Sequence, residues 1–237
     1  MVSIITPSHN SKLYIENTVQ SVIDQTYTDW EMIIIDDNST DGTRELIARL
    51  AEKDSRIKYF FNDVSIGPAK ARNIGIENAK GQFLTFLDSD DIWMPEFIQT
   101  SVEYSIKNNY TFVFSSYERK DENLNDLYTD FIVPDKVSYS DLLRTCPISC
   151  LTAFIWIEKI GKFYMPDIPK RQDYGLWLRI LKHVKYAYGI KTPLAVYRIR
   201  KGSLSRNKFL AIWYVWQVYI NVEKLNFFYS LYLICLL

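Results

Sequence analysis

Four short apolar runs alternate with three helix-like segments over the first 87 residues, and no other feature of the chain restricts its fold as much. "VSIIT" (2–6), "EMIIID" (31–36), "IKYFF" (57–61) and "FLTFL" (83–87) are β-branched or aromatic, as buried strands are. Between them lie "SKLYIENTVQSVIDQTY" (11–27), "TRELIARLAEKD" (43–54) and "PAKARNIGIENAKG" (68–81). The first carries Tyr14, Ile15, Thr18, Val19, Val22 and Ile23 at helical spacing, with Asn10 or Ser11 placed to cap it. The third has Pro68 in its first turn and Gly81 past its end. This alternation predicts an α/β fold with a mostly parallel, Rossmann-like sheet flanked by helices.

In such sheets, ligands sit beyond the carboxyl ends of the strands. The chain places "TPSHN", "DDNSTDGT", "NDVSIGPAKARN" and "DSDD" at those four ends, and together they outline a site. Downstream, 95–109 reads as a helix, 112–118 as a strand and 119–140 as a polar excursion. Helices are expected in "SYSDLLRTC" and "DYGLWLRILKH", and "AYGIKTPLAVYRIR" reads as strand, turn, strand.

The charges limit what the site can serve. Lys and Arg number 28 against 28 Asp and Glu, so no global field attracts nucleic acid. Cys146, Cys150 and Cys235 form no framework of pairs and no metal-ligand spacing with His9 and His183, which points to a reducing compartment. "MVSIITPSHN" has no basic leader before an apolar stretch, so a cytoplasmic protein is expected.

Asp88, Asp90 and Asp91 follow an apolar strand directly, and like charges held together raise one another's pKa. A bound cation offsets that cost. Asp88 and Asp90 form an Asp-x-Asp pair of hard oxygen ligands suited to Mg2+ or Mn2+. The spacing alone is weak, and a capped, solvated turn is the plain alternative. A divalent ion held by one or two carboxylates is commonly completed by substrate phosphates, so a diphosphate ligand is expected.

After the second strand, Asp36 and Asp37 can accept hydrogen bonds from a ribose or a base, or else cap the following helix. Arg72 is a candidate phosphate or base-side donor, with a plain surface arginine the alternative. His9 and His183 read as local or surface residues, and Trp93, Trp156 and Trp177 as core, with Trp93 the one placed to stack on a sugar.

The order "TPSHN", "IIIDDNSTDGT", "GPAKARNIGI", "FLDSDD" and "QDYGLWLR" resembles glycosyltransferase family 2, of the GT-A fold, over about residues 1–200. That resemblance implies an inverting transfer of a hexosyl or N-acetylhexosaminyl group from a nucleotide diphosphate sugar, with a UDP-sugar the expected donor. The acceptor it implies is a hydroxyl of a saccharide or lipid-linked saccharide. The setting is synthesis of a surface polysaccharide such as O-antigen, capsule or lipooligosaccharide. It also divides the chain into a donor-binding half (1–118), an acceptor-binding half (119–200) and a basic linker with an apolar tail (201–237).

Residue by residue, the resemblance places Pro7, Asn10, Asp37, Arg72 and Asp88 at the donor nucleotide. It gives the metal to Asp88 and Asp90, and the general base to Asp173. The family's "ED" pair reads Gln172-Asp173 here, so the aspartate is kept and its neighbour changed. In the basic run 197–208, Arg198, Arg200, Lys201, Arg206 and Lys208 are candidates for the donor diphosphate or a solvated charge run. Alternatives of other classes are a catalytically silent sugar-nucleotide-binding protein, a nucleotidyltransferase and a phospho-receiver module. The nucleotidyltransferase lacks its Gly-rich loop here, and the receiver has no use for residues 140–200.

From Phe209 the chain is apolar and aromatic, interrupted by Glu223 and Lys224 into stretches too short to span a bilayer. Residues 201–237 therefore suit either peripheral contact at the inner face of the membrane or packing on protein.

Overall fold

The computed structural model describes residues 1–199 and 208–236. The elements run β1 (Val2–Ser8), α1 (Ile15–Ile23), β2 (Trp30–Asp37), α2 (Thr43–Lys53), β3 (Ile57–Asn62), α3 (Pro68–Asn78) and β4 (Phe83–Phe86). Then follow β5 (Ile92–Trp93), α4 (Phe97–Asn108), β6 (Phe112–Asp121), β7 (Asp126–Phe131), β8 (Lys136–Val137) and α5 (Tyr139–Arg144). The chain continues through β9 (Phe154–Ile155), α6 (Ile157–Ile160), α7 (Gln172–Leu181), β10 (Ala187–Ile199), α8 (Lys208–Gln217) and α9 (Phe227–Cys235).

The sheet order is β3-β2-β1-β4-β9-β6-β10-β5, with β7 and β8 attached to β6 and β10. β3, β2, β1 and β4 are mutually parallel, as the alternation predicts. Beyond β4 the sheet is mixed: β9 runs antiparallel to both neighbours, whereas β6 and β10 are parallel. Parallel strands covered on both faces are apolar throughout, and every residue of β2 is buried. Alternate side chains serve different layers. Ile4, Met32 and Ile34 pack with α1, α2 and α4, while Ile5, Ile33 and Ile35 pack with α3 and α7.

Two glycines allow close approach. A Cβ on Gly75 of α3 would lie 2.9 Å from Ile35 Cδ1 and against Ile5, so the helix rests directly on β1 and β2. A Cβ on Gly81 would lie 2.7 Å from the Ser3 nitrogen, where the chain turns back under β1 into β4.

Several local expectations are corrected. Neither Asn10 nor Ser11 caps α1 through its side chain; the helix begins later, and the Ser11 carbonyl takes the Tyr14 and Ile15 amides. Most of the 119–140 stretch is ordered rather than an excursion: β6 and β7 form a hairpin that ends at Phe131, and the Asp121 carboxylate, accepting the Asn123 and Asn125 amides, both at 2.9 Å, turns one strand into the other. β10 is a single strand whose register shifts between Ile190, Pro193 and Val196, where proline removes a ladder donor. Trp93 is core: it is 2 % exposed, its indole N–H donates to the Leu151 carbonyl at 2.9 Å, and it stacks on Phe97.

The tail packs on the body along one side. Tyr219 and Val218 are fully buried, and the Tyr219 hydroxyl donates to the Leu143 carbonyl of α5. Glu223 is buried, accepting the Tyr139 hydroxyl and pairing with Lys182 at 2.7 Å. The other side exposes Trp213, Phe228 and Tyr232. No described helix is long and apolar enough to cross a membrane.

Candidate active site

The strand-end loops are bound to one another before any ligand is considered. His9 Nδ1 donates to the Asp37 carbonyl at 2.7 Å, which leaves Nε2 to accept from Asn10 Nδ2 at 3.2 Å. Asn10, at φ 49°, accepts the Thr40 amide at 2.9 Å and so ties the first loop to the second. Asp36 is fully buried and accepts the Ser39 amide and hydroxyl and Arg44 Nε, the last at 2.9 Å. It therefore orders the second loop and anchors α2, whose N-cap is Gly42.

Asp37 holds the third loop. It accepts the Ile66 amide at 2.7 Å, the Gly67 amide at 2.9 Å, the Ser65 hydroxyl at 2.8 Å and Asn62 Nδ2 at 3.3 Å. Burial alone would raise its carboxyl pKa, but these donors outweigh burial and hold it below the usual carboxylate range. With four acceptor positions taken, a contact to a nucleotide base must displace one of these donors or share an oxygen.

The three clustered aspartates are divided by the structure. Asp88 pairs with Arg72, which is otherwise buried. Asp91 is buried, accepts the Arg198 amide at 2.8 Å and pins β10 to the loop. Burial first, then Asp90 and Asp88, push the Asp91 carboxyl well above its ordinary value. Asp90 lies on the wall of a cavity.

That cavity has a volume of about 540 Å3 and reaches from Pro7 and His9 past Asp37 to Arg72, Asp88 and Asp90. Lys170 and Arg198 complete its cationic side. Nε of Arg72 and Nε of Arg198 are buried with no hydrogen-bond partner among the described residues. Buried donors of that kind call for an anionic oxygen. Asn10 does not line the cavity; it supports the loop that does.

A second cavity of about 490 Å3 adjoins the first and shares Asp88, Asp91 and Tyr197 with it. Asp173, in the first turn of α7, faces this second cavity, together with Arg119, Arg171 and the 146–151 segment. Tyr117, Tyr128 and Phe131 form an aromatic wall, with Tyr117 stacked on Phe131. Burial pushes the Cys146 thiol up to about 12, with Asp173 adding to the shift, so this thiol is not a nucleophile at neutral pH.

Among the described residues, no group of three or more His, Cys, Asp or Glu could enclose a metal. Asp88 and Asp90 supply hard oxygens without a third protein ligand. That set fits a Mg2+ or Mn2+ ion whose remaining positions go to water and substrate phosphate, rather than an all-protein cage.

The family model described as "Glycosyl transferase family 2" matches residues 3–157. The chain belongs to glycosyl transferase family 2. It is a glycosyltransferase of the GT-A fold. A Bacillus subtilis protein described as a teichuronic acid biosynthesis glycosyltransferase, TuaG, is 40% identical over 227 residues, covering 96% of this chain and 90% of its own. The Escherichia coli enzyme WfgD, a UDP-Glc:alpha-D-GlcNAc-diphosphoundecaprenol beta-1,3-glucosyltransferase, is 38% identical over 92% of this chain and 85% of its own. Among solved structures, S. aureus TarS 1-349 in complex with UDP-GlcNAc superposes with a TM-score of 0.74 at 18% identity, covering 98% of this chain and 70% of that one.

Pro7, Asp37, Arg72, Asp88 and Asp90 thus meet at one cavity, and Asp173 faces its neighbour. Arg200, Lys201 and Arg206 lie outside the described residues, as does the side chain of Lys208. His183 packs on Phe163, away from both cavities. Sequence reasoning passed over Lys170, Tyr197 and Arg119. The "DLYTDF" alternation after the "DENLN" turn was the signal that could have delivered Arg119, by identifying the hairpin on which it stands.

Proposed function

We propose that this enzyme transfers a sugar, with inversion and with a divalent cation, from a UDP-sugar to a hydroxyl of a lipid-linked saccharide during surface polysaccharide synthesis. The observation that carries the reading is the division of the site. A cavity walled by Arg72, Arg198, Lys170 and the Asp88–Asp90 pair adjoins one that presents Asp173. The first suits a nucleotide diphosphate, and the second an acceptor hydroxyl.

In the transfer, the acceptor oxygen attacks the anomeric carbon as the bond to the diphosphate oxygen breaks. Asp173 takes the hydroxyl proton as general base, and the electron pair of the broken bond leaves with the nucleoside diphosphate. Arg72, Lys170 and Arg198 meet the charge that develops on that leaving group. A Mg2+ or Mn2+ ion at Asp88 and Asp90 supplies Lewis-acid stabilisation of the diphosphate when bound. Pro7 and His9 border the nucleotide, with Asn10 and Asp37 acting through the loops they hold. The UDP donor and lipid-linked acceptor are supported by the activity named for the 38%-identical Escherichia coli relative. The exposed aromatic side of the tail, with Trp213, Phe228 and Tyr232, suits contact with the bilayer that carries such an acceptor.

Turnover of a nucleotide-sugar panel with Mn2+ and Mg2+, read as released nucleoside diphosphate, tests this reading. Hydrolysis or transfer from one donor, abolished in Asp90→Ala and by chelation, is expected. Donor binding without turnover, even with saccharide acceptors added, would overturn the transferase assignment of these residues.

A further inference from the structure

Two guanidinium groups, those of Arg119 and Arg171, line the second cavity, and neither is held in an ion pair among the described residues. Arg171 is exposed, lines the cavity beside Asp173, and makes no ion pair or side-chain hydrogen bond among the described residues. Its backbone adopts φ 62°, ψ 30°, the left-handed region that a non-glycine residue occupies at a cost. The conformation sits one residue before the turn that carries Asp173, so Arg171 and the base enter the cavity from one rigid corner.

Arg119, on β6, lines the same cavity. Its Nε donates to the Thr129 carbonyl at 2.8 Å, one terminal nitrogen reaches Thr129 Oγ1 at 3.4 Å, and its guanidinium lies 5.3 Å from the Tyr128 ring centre. These contacts fix the plane of the group while using two of its five N–H donors. No carboxylate pairs with it among the described residues. Several carboxylates nearby have partners of their own: Asp88 is paired with Arg72, Asp91 accepts the Arg198 amide, and Glu118 and Asp126 pair with Lys120.

We propose that Arg119 and Arg171 bind an oxyanion carried by the acceptor itself, apart from the hydroxyl that reacts at Asp173. The inference rests on reading the second cavity as the acceptor's. Two chemical sources supply such a group: the diphosphate that joins a saccharide to a lipid carrier, or the carboxylate of a uronic acid. Arg presents a planar fork to either one, and the aromatic wall of Tyr117, Tyr128 and Phe131 receives the sugar faces between them. The two arginines thus select the acceptor and take no part in proton transfer.

Three acceptors separate the possibilities: octyl GlcNAc, octyl glucuronide and an alkyl diphosphate-linked GlcNAc, each titrated against wild type, Arg119→Gln, Arg171→Gln and the double variant. Wild type is expected to prefer one of the two anionic acceptors over octyl GlcNAc by about tenfold or more in kcat/KM, as charge-assisted hydrogen bonds allow. That preference identifies the source of the anion. The double variant is expected to lose the preference through a raised acceptor KM, while its rate with octyl GlcNAc changes little. Wild type using all three equally, or the variants losing equal activity on all three, overturns the proposal. Neither arginine borders the donor cavity, so donor affinity by calorimetry distinguishes the failures: loss of all donor binding in wild type sinks the functional reading instead.

Discussion

The two cavities share three residues and are built by opposite means. The first cavity is made by strand-end loops whose side chains hydrogen-bond to one another: His9 to the Asp37 carbonyl, Asn10 to Thr40, and Asp37 to the 65–67 segment. The second is made by a hairpin, the 146–151 segment and the first turn of α7, and its arginines have few bonds to the protein. One wall is therefore organised in advance, at low reorganisation cost for a ligand bound there. The other presents charged groups with few protein partners.

The largest effect that tests this contrast is at Asp173. Asp173→Asn should lower transfer by about 10²–10⁴-fold, the usual contribution of a general base, with donor affinity in calorimetry unchanged. A parallel fall in donor affinity would mean that the cavities are not separate. Asp37→Asn should do the reverse. An amide cannot accept all four donors on that loop, and each charge-assisted bond contributes about 1.5–3 kcal/mol. Donor affinity should fall by about tenfold or more, with acceptor KM within about twofold of wild type.

A smaller effect is expected where the tail anchors the acceptor half. Tyr219→Phe strands the buried Leu143 carbonyl and should cost about 1–3 kcal/mol in urea unfolding. Its kinetic trace, if present, should fall on acceptor KM, since α5 and α7 lie on that side. The smallest effect is on pH dependence. Glu31, buried on β2 beside Ser3 of β1, is raised by burial but lowered further by Lys58, Ser3 and the Lys80 amide, so its pKa lies below the usual 4.5. A depressed carboxylate contributes stability that is complete above its unfolded value and lost as pH falls through the folded one. Thermal melts should show stability declining below about pH 4.5, and Glu31→Gln should flatten that decline while lowering stability at pH 7.

The contrast also explains what could be read beforehand. β1, β2 and β4 announce themselves because each is a continuous apolar run buried on both faces, and the exposed edge strand β3 by its aromatic run; their loops are rich in Asp, Asn, Ser and Gly. The second half of the sheet is assembled from two-residue strands, β8 and β9, and from β10, whose proline disguises one strand as two. Such pieces take their conformation from distant neighbours, and no local pattern encodes that. Asp173 was readable only through family resemblance, because one carboxylate near a helix start is also an ordinary cap. That Asp88 pairs with Arg72, and that Asp91 holds the Arg198 amide, depends on contacts 16 and 107 residues apart. Trp93 misled for the same reason: its neighbour in sequence is the metal loop, but its neighbours in space are Phe97 and Leu151.

Among the described residues, only Asp88, Asp91 and Tyr197 belong to both cavities. Substitutions in the β6–β7 hairpin or the 146–151 segment can therefore reshape the wall of the second cavity and leave the strand-end loops of the first untouched.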